Sequence, residues 1–214
     1  MTVQRILGAS AIALLFATSI AMAQAPAPTP PASPPTPPTR VRGTIDSVDG
    51  STLNVTSRDG SKVVVKLADK TTVLGVAKAS LTDVKQGGFV GITAMPQPDG
   101  TQKAIEIHIF PEAMRGTGEG HRPWDLMPNS TMTNATIDSQ VASSDGQKLV
   151  LKYKDGEKTF IVPANVIVVA FGPATTADLK AGAKIMVVAG AKQPDGTVLT
   201  PRINVGLNGI TPPM

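Results

Sequence analysis

One set of short motifs occurs twice along the chain in the same order, and this repetition limits the fold more than any other feature. Thr44-Ile45-Asp46-Ser47 returns as Thr136-Ile137-Asp138-Ser139. Asp59-Gly60 returns as Asp155-Gly156, and Leu81–Gly87 matches Thr176–Gly182. Gln97-Pro98-Asp99-Gly100-Thr101 returns unchanged as Gln193-Pro194-Asp195-Gly196-Thr197. Matches in fixed order, at a near-constant offset of about 92 to 96 residues, mean that one folding unit was duplicated. Two copies are too few for a solenoid, so the reading is two domains or one fused pair.

Each copy carries the pattern of short strands. In the first, Val41–Val48, Thr52–Ser57 and Lys62–Leu67 alternate apolar and polar residues, with the hairpin dipeptide Asp59-Gly60 between the second and third. Ser80–Gln86 reads as a short helical turn stopped by Gly87-Gly88. Phe89–Ala94 and Lys103–Phe110 complete the unit. In the last strand Ile105, Ile107 and Ile109 are expected inward, and Glu106 and His108 outward. Five strands with a short helix between the third and fourth is the order of an OB-fold. The expected fold class is all-β, two tandem five-stranded OB-like β-barrels, at 41–110 and 132–210, joined by a linker at 111–131.

The run of strand, Asp-Gly hairpin, strand and then Leu81-Thr82-Asp83-Val84-Lys85-Gln86-Gly87, echoed at Asp178–Gly182, resembles the secreted bacterial OB-like barrels of a family of unknown function. The likeness spans Val41–Phe110 and Met132–Gly206. It implies a barrel and a location in the cell envelope, and it implies no reaction. Some similar chains carry metal-transport labels, but a permease role needs membrane-spanning helices that the mature sequence does not offer.

Before the repeat come two segments that belong to export and spacing. Met1–Arg5 has one positive charge, Ile6–Ile20 is apolar, and Ala21-Met22-Ala23 provides the small residues of a signal-peptidase site. Residues 1–23 therefore read as a signal peptide cleaved before Gln24, which places the mature protein in the periplasm or outside the cell. The apolar run falls short of the roughly 20 residues of a spanning helix. Ile161–Ala170, the most apolar later run, is shorter still and is broken by Pro163 and Asn165. Residues 24–40 read as a spacer: Pro26–Pro38 holds eight prolines in thirteen residues, a composition that favours extended polyproline II.

Several chemistries are excluded by composition. The chain has no cysteine, so disulfides, thiolate metal sites and covalent haem attachment are absent. Lys and Arg total 20 against 16 Asp and Glu, and Arg5 leaves with the signal. The remaining excess is too small to indicate a polyanion partner. Nucleic-acid binding by an OB-fold needs aromatic platforms in a basic groove. The chain offers five Phe, one Tyr and one Trp, and Phe16 lies in the signal. Phe89 and Phe171 read as core residues, and Lys148, Lys152 and Lys158 as a solvated strand face. No nucleic-acid partner is expected. No G-x-S-x-G elbow is present, and Gly116–Gly120 lacks the lysine of a phosphate loop. No enzymatic role, catalytic residue or cofactor is expected.

Two readings of the binding chemistry remain. Glu106 and His108 share a strand face, and Glu119 and His121 repeat that spacing in the linker. If the linker folds back, these four supply a set of N and O ligands for a divalent ion, with Met114 and Met127 as soft ligands for Cu(I). Glu106 and His108 align with Arg202 and Asn204 in the second copy, so the barrel itself does not require them. The other reading rests on the linker, which is longer than ordinary connections. It holds the single tryptophan, in Gly118-Glu119-Gly120-His121-Arg122-Pro123-Trp124-Asp125-Leu126. Trp124 and Leu126 are costly to leave in water, so Trp124 is expected at the junction of the two barrels. Glu119, His121, Arg122, Trp124 and Asp125 are the candidate residues for a ligand or partner there. The function expected is a non-enzymatic envelope binding or scaffolding module, with a periplasmic metal-binding accessory protein as the alternative.

Overall fold

The structure is a computed structural model that describes Met1 and residues 38–143 and 146–212. Residues 2–37 of the expected signal peptide and proline-rich spacer lie outside the described residues, and Thr39 and Arg40, counted with the spacer, instead open the first strand. The described chain is built from strands, short 3-10 turns and loops. Among the described residues no helix is long and apolar enough to cross a membrane.

The strands are β1 (Thr39–Asp49), β2 (Thr52–Ser57), β3 (Lys62–Lys78), β4 (Phe89–Pro96), β5 (Gln102–Ile109) and β6 (Gly120–Pro123). The second half supplies β7 (Thr131–Ser143), β8 (Gly146–Tyr153), β9 (Gly156–Pro163), β10 (Ile167–Pro173), β11 (Lys184–Lys192) and β12 (Val198–Gly206). The hairpin glycines act where the sequence placed them. Gly60 takes φ 85° and Gly100 φ 84°, values that a side chain strains to reach. The short turns after the third strands are 3-10 helices at Leu81–Asp83 and Thr176–Asp178. Each is closed by a capping box, in which Ser80 pairs with Asp83 and Thr175 with Asp178.

The strand order departs from the sequence reading at one decisive point. β1, β2 and β3 pair as successive antiparallel neighbours. The barrel that they begin is closed by β12, which runs parallel to β3, and by β11, which pairs with β12 and β1. Both closing strands come from the other half of the chain. In return β4 and β5, from the first half, add to β7, β8 and β9. There β5 meets β9 in parallel through Gln102↔Phe160 and Lys103↔Ile161. Residues 41–110 and 132–210 are thus not separate barrels. Each five-stranded set takes three strands from one half and two from the other.

The physical reason is the length of β3. The sequence suggests a strand ending at Leu67, but seventeen residues run from Lys62 to Lys78 without a turn. Their far end pairs with β10, as in Val76↔Phe171, and the chain emerges against the second set of strands. Ala79 donates its N–H to Val168 O at 2.9 Å, and Gly87 N–H to Ile137 O at 2.9 Å. The reciprocal bond runs from Gly182 N–H to Ile45 O at 2.8 Å.

Two apolar cores follow from this pairing. One contains Ile45, Leu53, Val55 and Val65 from the first half with Ile185, Val187, Ile203 and Val205 from the second. The other joins Val84, Val90, Ile92 and Ile107 to Ile137, Leu149, Leu151 and Phe160. A third cluster lies between them, with Val76, Trp124, Met132, Val169, Phe171 and Met186 buried in it. Full burial of aliphatic side chains contributes roughly 1.5–3 kcal/mol each, so none of these cores survives loss of the partner half.

Candidate functional site

The third cluster forms where the outer faces of the strands meet. Side chains two apart on a strand leave the same face, and the ladder carries that face across the sheet. Gly91 stands opposite His108 and Asn134, and Thr93 opposite Glu106 and Met132. His108 is beside Val169 on β10, Phe171 beside Val76 on β3, and Leu74 beside Asn204 on β12. A sheet face that alternation assigns to water is therefore shared between the two halves.

The linker covers it. β6 pairs with β7 through His121↔Thr133 and Arg122↔Met132. Trp124 donates its backbone N–H to Ser130 O at 2.8 Å, which turns the chain so that the indole packs inward, 8% exposed. Arg40 of β1 stacks on the indole with its guanidinium carbon 4.3 Å from the ring centroid, and Arg122 lies at 5.6 Å. Asp125 accepts from Arg42 at 2.7 Å and stands 3.4 Å from Arg40. These contacts bind the linker to β1 and β7 at once, so Trp124 joins both halves.

Beneath the linker is a cavity of about 260 Å³. Its apolar wall comes from Leu74, Phe110, Met114, Met132, Phe171 and Trp124. The rings of Phe110 and Phe171 are 4.9 Å apart, and His108 meets Phe171 edge-on at 5.9 Å. His108, Asn134 and Asn204 face into it, and Arg122 and Arg202 complete it. Gly91 keeps room for this arrangement, because a Cβ there would lie 2.7 Å from Asn134 Oδ1 and 3.1 Å from Phe110.

Several polar atoms of this site have no hydrogen-bond partner among the described residues. They are both ring nitrogens of His108, Oδ1 of Asn134, Oδ1 of Asn204 and Nε1 of Trp124. Asn134 is oriented by its other end, where Nδ2 donates to Thr117 O at 2.9 Å. Glu106 lies beneath, and its Oε1 accepts from Thr93 Oγ1 at 2.8 Å. That oxygen is 3.3 Å from His108 Nε2, without the alignment of a hydrogen bond. A buried polar group left unpaired costs roughly 1–3 kcal/mol, so a cluster of them beside a cavity makes this the candidate binding site.

The sequence-derived residues divide accordingly. Arg122 and Trp124 line the cavity, and Asp125 holds the linker to Arg42. Glu119 turns elsewhere, accepting from Lys154 N–H at 3.0 Å, and His121 Nδ1 bonds Thr133 Oγ1 at 2.7 Å. Glu106 and His108 are not outward on a wet face but 2% and 1% exposed, because β10 and the linker cover them. Of the four ligands of the metal reading, Glu106 meets His108, while Glu119 and His121 keep the separate partners just given. Among the described residues no three His, Cys, Asp or Glu are grouped to hold an ion. Met114 lines the cavity, but Met127 is exposed. The sequence reading missed Asn134, Asn204, Phe110, Arg40 and Arg202. One signal for two of them was present, in the exchange of Glu106 and His108 for Arg202 and Asn204 at matching places.

Compared with models of protein families, with curated proteins and with solved structures, the chain finds no match.

The charges around His121, outside the cavity, set a pH response of the fold. Burial, then Lys158 and Arg122, lower the pKa of His121 from 6.5. A histidine with a depressed folded pKa leaves stability intact above the unfolded value and removes it as the pH falls through the folded one. The melting temperature is therefore expected to fall as the buffer is taken below pH 6.5. His121→Gln should flatten that part of the profile, as followed by circular dichroism.

Proposed function

We propose that the chain is a non-enzymatic binding module of the cell envelope, and that its site is the cavity between the two strand sets. The observation that carries this reading is the set of buried polar atoms without hydrogen-bond partners among the described residues, from His108, Asn134, Asn204 and Trp124, around an apolar cavity. Small-molecule sites combine an apolar wall with a few placed polar groups, often where two units meet. About 260 Å³ lies just below the usual range for drug-sized ligands.

The fold reading that accompanies this function is a pair of OB-like units that have exchanged their last two strands. The order 1-2-3-5-4 around a ring, with strands 3 and 5 parallel, is the OB arrangement, and both strand sets follow it once β11 and β12 are counted with the first half. The resemblance to secreted OB-like barrels supports the envelope location, as does the leader with its Ala21-Met22-Ala23 site.

One preparation tests both proposals. Protein recovered from the periplasm should give an intact mass that begins at Gln24, and native mass spectrometry should show an adduct lost on denaturation. An adduct that persists in an Asn134→Leu, Asn204→Leu variant would place the site elsewhere. Full-length chain in the membrane fraction would overturn the location.

A further inference from the structure

The cavity that this reading makes the binding site is chemically one-sided. Two arginines, Arg122 and Arg202, are among its lining residues, and no Asp or Glu is. Arg122 donates to a neutral acceptor, Gly118 O, at 2.7 Å. Arg202 is exposed at the rim, and its guanidinium has no partner among the described residues. Two carboxylates of the linker and of β5 are already engaged. Asp125 is held by Arg42 and Arg40, and Glu106 by Thr93. Burial, and then the charge of Arg40, push the pKa of Arg122 down, which is the sign of a place where positive charge lacks compensation.

The body of the cavity is aromatic. Phe110, Phe171 and Trp124 form its wall, and Met114 and Met132 fill between them, as thioethers do against rings. Asn134 and Asn204 also line it, and their Oδ1 atoms, buried without a hydrogen-bond partner among the described residues, are acceptors that suit a donor on the ligand. A cavity of about 150 Å³ holds benzene, so 260 Å³ has room for roughly ten to fourteen non-hydrogen atoms.

We propose that the site takes a compact aromatic carboxylate carrying a ring N–H or hydroxyl. The carboxylate meets Arg122 and Arg202, the ring lies among Phe110, Phe171 and Trp124, and the donor reaches an asparagine Oδ1. This proposal rests on the cavity being the binding site. Arginine suits the carboxylate because its planar fork can bond both oxygens.

Calorimetric titration of the full mature chain with three probes of matched size tests it. Indole-3-acetate carries both features, indole-3-acetamide lacks the charge, and 1-naphthaleneacetate lacks the N–H. Indole-3-acetate should bind at least about tenfold more tightly than the amide, and several-fold more tightly than the naphthalene acid. Arg202→Gln, at an exposed position, should reduce the first preference to about threefold or less by weakening the acid more than the amide. Equal binding of acid and amide, with both lost in an Asn134→Leu, Asn204→Leu variant, would overturn the anion class and leave the cavity as the site. Binding of indole-3-acetate that survives that variant and Arg202→Gln would place the probe elsewhere and overturn the proposal. No binding of any probe at millimolar concentration would overturn it too. The adduct from the periplasm then decides whether the cavity itself still stands.

Discussion

A chain cut once between the halves is expected to stay together. With a protease site introduced at the exposed Gly116, cleavage should leave two fragments that co-elute on size exclusion and part only in denaturant. The reason is the exchange of strands. The seams β1–β11, β3–β12, β4–β7 and β5–β9 all join one fragment to the other, as do β10 to β3 and β10 to β5. Separation opens every core, and domain stability totals only about 5–15 kcal/mol, so neither fragment alone should fold as a monomer. Mixing the denatured fragments and diluting them should restore the β-sheet spectrum. Fragments that separate in native buffer, each with a cooperative melt of its own, would contradict the pairing.

The second large effect is expected at Trp124. Trp124→Ala should lower stability by roughly 3–5 kcal/mol, the cost of deleting a large buried aromatic side chain. In a domain of this length that corresponds to a melting temperature roughly 10 °C lower. Two further losses add to the missing packing. Arg40 loses the face on which it stacks, and the turn that carries Asp125 to Arg42 loses its anchor. Trp124→Phe should recover most of the deficit. In the parent protein, indole emission should be blue-shifted and poorly quenched by iodide, since the side chain is 8% exposed. A red-shifted, freely quenched emission and an unchanged melt in the alanine variant would remove the joining role.

What the sequence disclosed and what it hid have different physical origins. Hairpin turns such as Asp59-Gly60 and Asp155-Gly156 are local, as are the capped turns at Ser80–Asp83 and Thr175–Asp178. Their residues are sufficient to specify them. The exchange of strands is not local. Because both copies carry the same motifs, β4 meets the same kind of partner in β1 or in β7, and nothing in its own residues separates the two. The one trace is in Ala68–Lys78, where no turn allows the chain to fold back. The site divides in the same way. Trp124 and Arg122 stood out because a large apolar ring on a polar linker has to be buried. Asn134 and Asn204 did not, and His108 stood out only as an outward metal ligand, because period-2 alternation assigns all three to water. Only a second sheet face and a folded linker turn that position into an interior.

The sharing of strands also sets the order in which the molecule can be completed. The barrel begun by β1, the first strand of the described chain, is closed only by β11 and β12, whose last residue is Gly206. Loop closure over such a span is slow, and the reward comes at the end. The set of β4, β5, β7, β8 and β9 can close once Pro163 has been made, but the barrel of β1, β2 and β3 waits for Gly206. For a protein that carries an export leader, as proposed here, that delay is an advantage. The first strands stay open enough to thread through a secretion channel while the chain is made, and their barrel closes once the last strands have crossed.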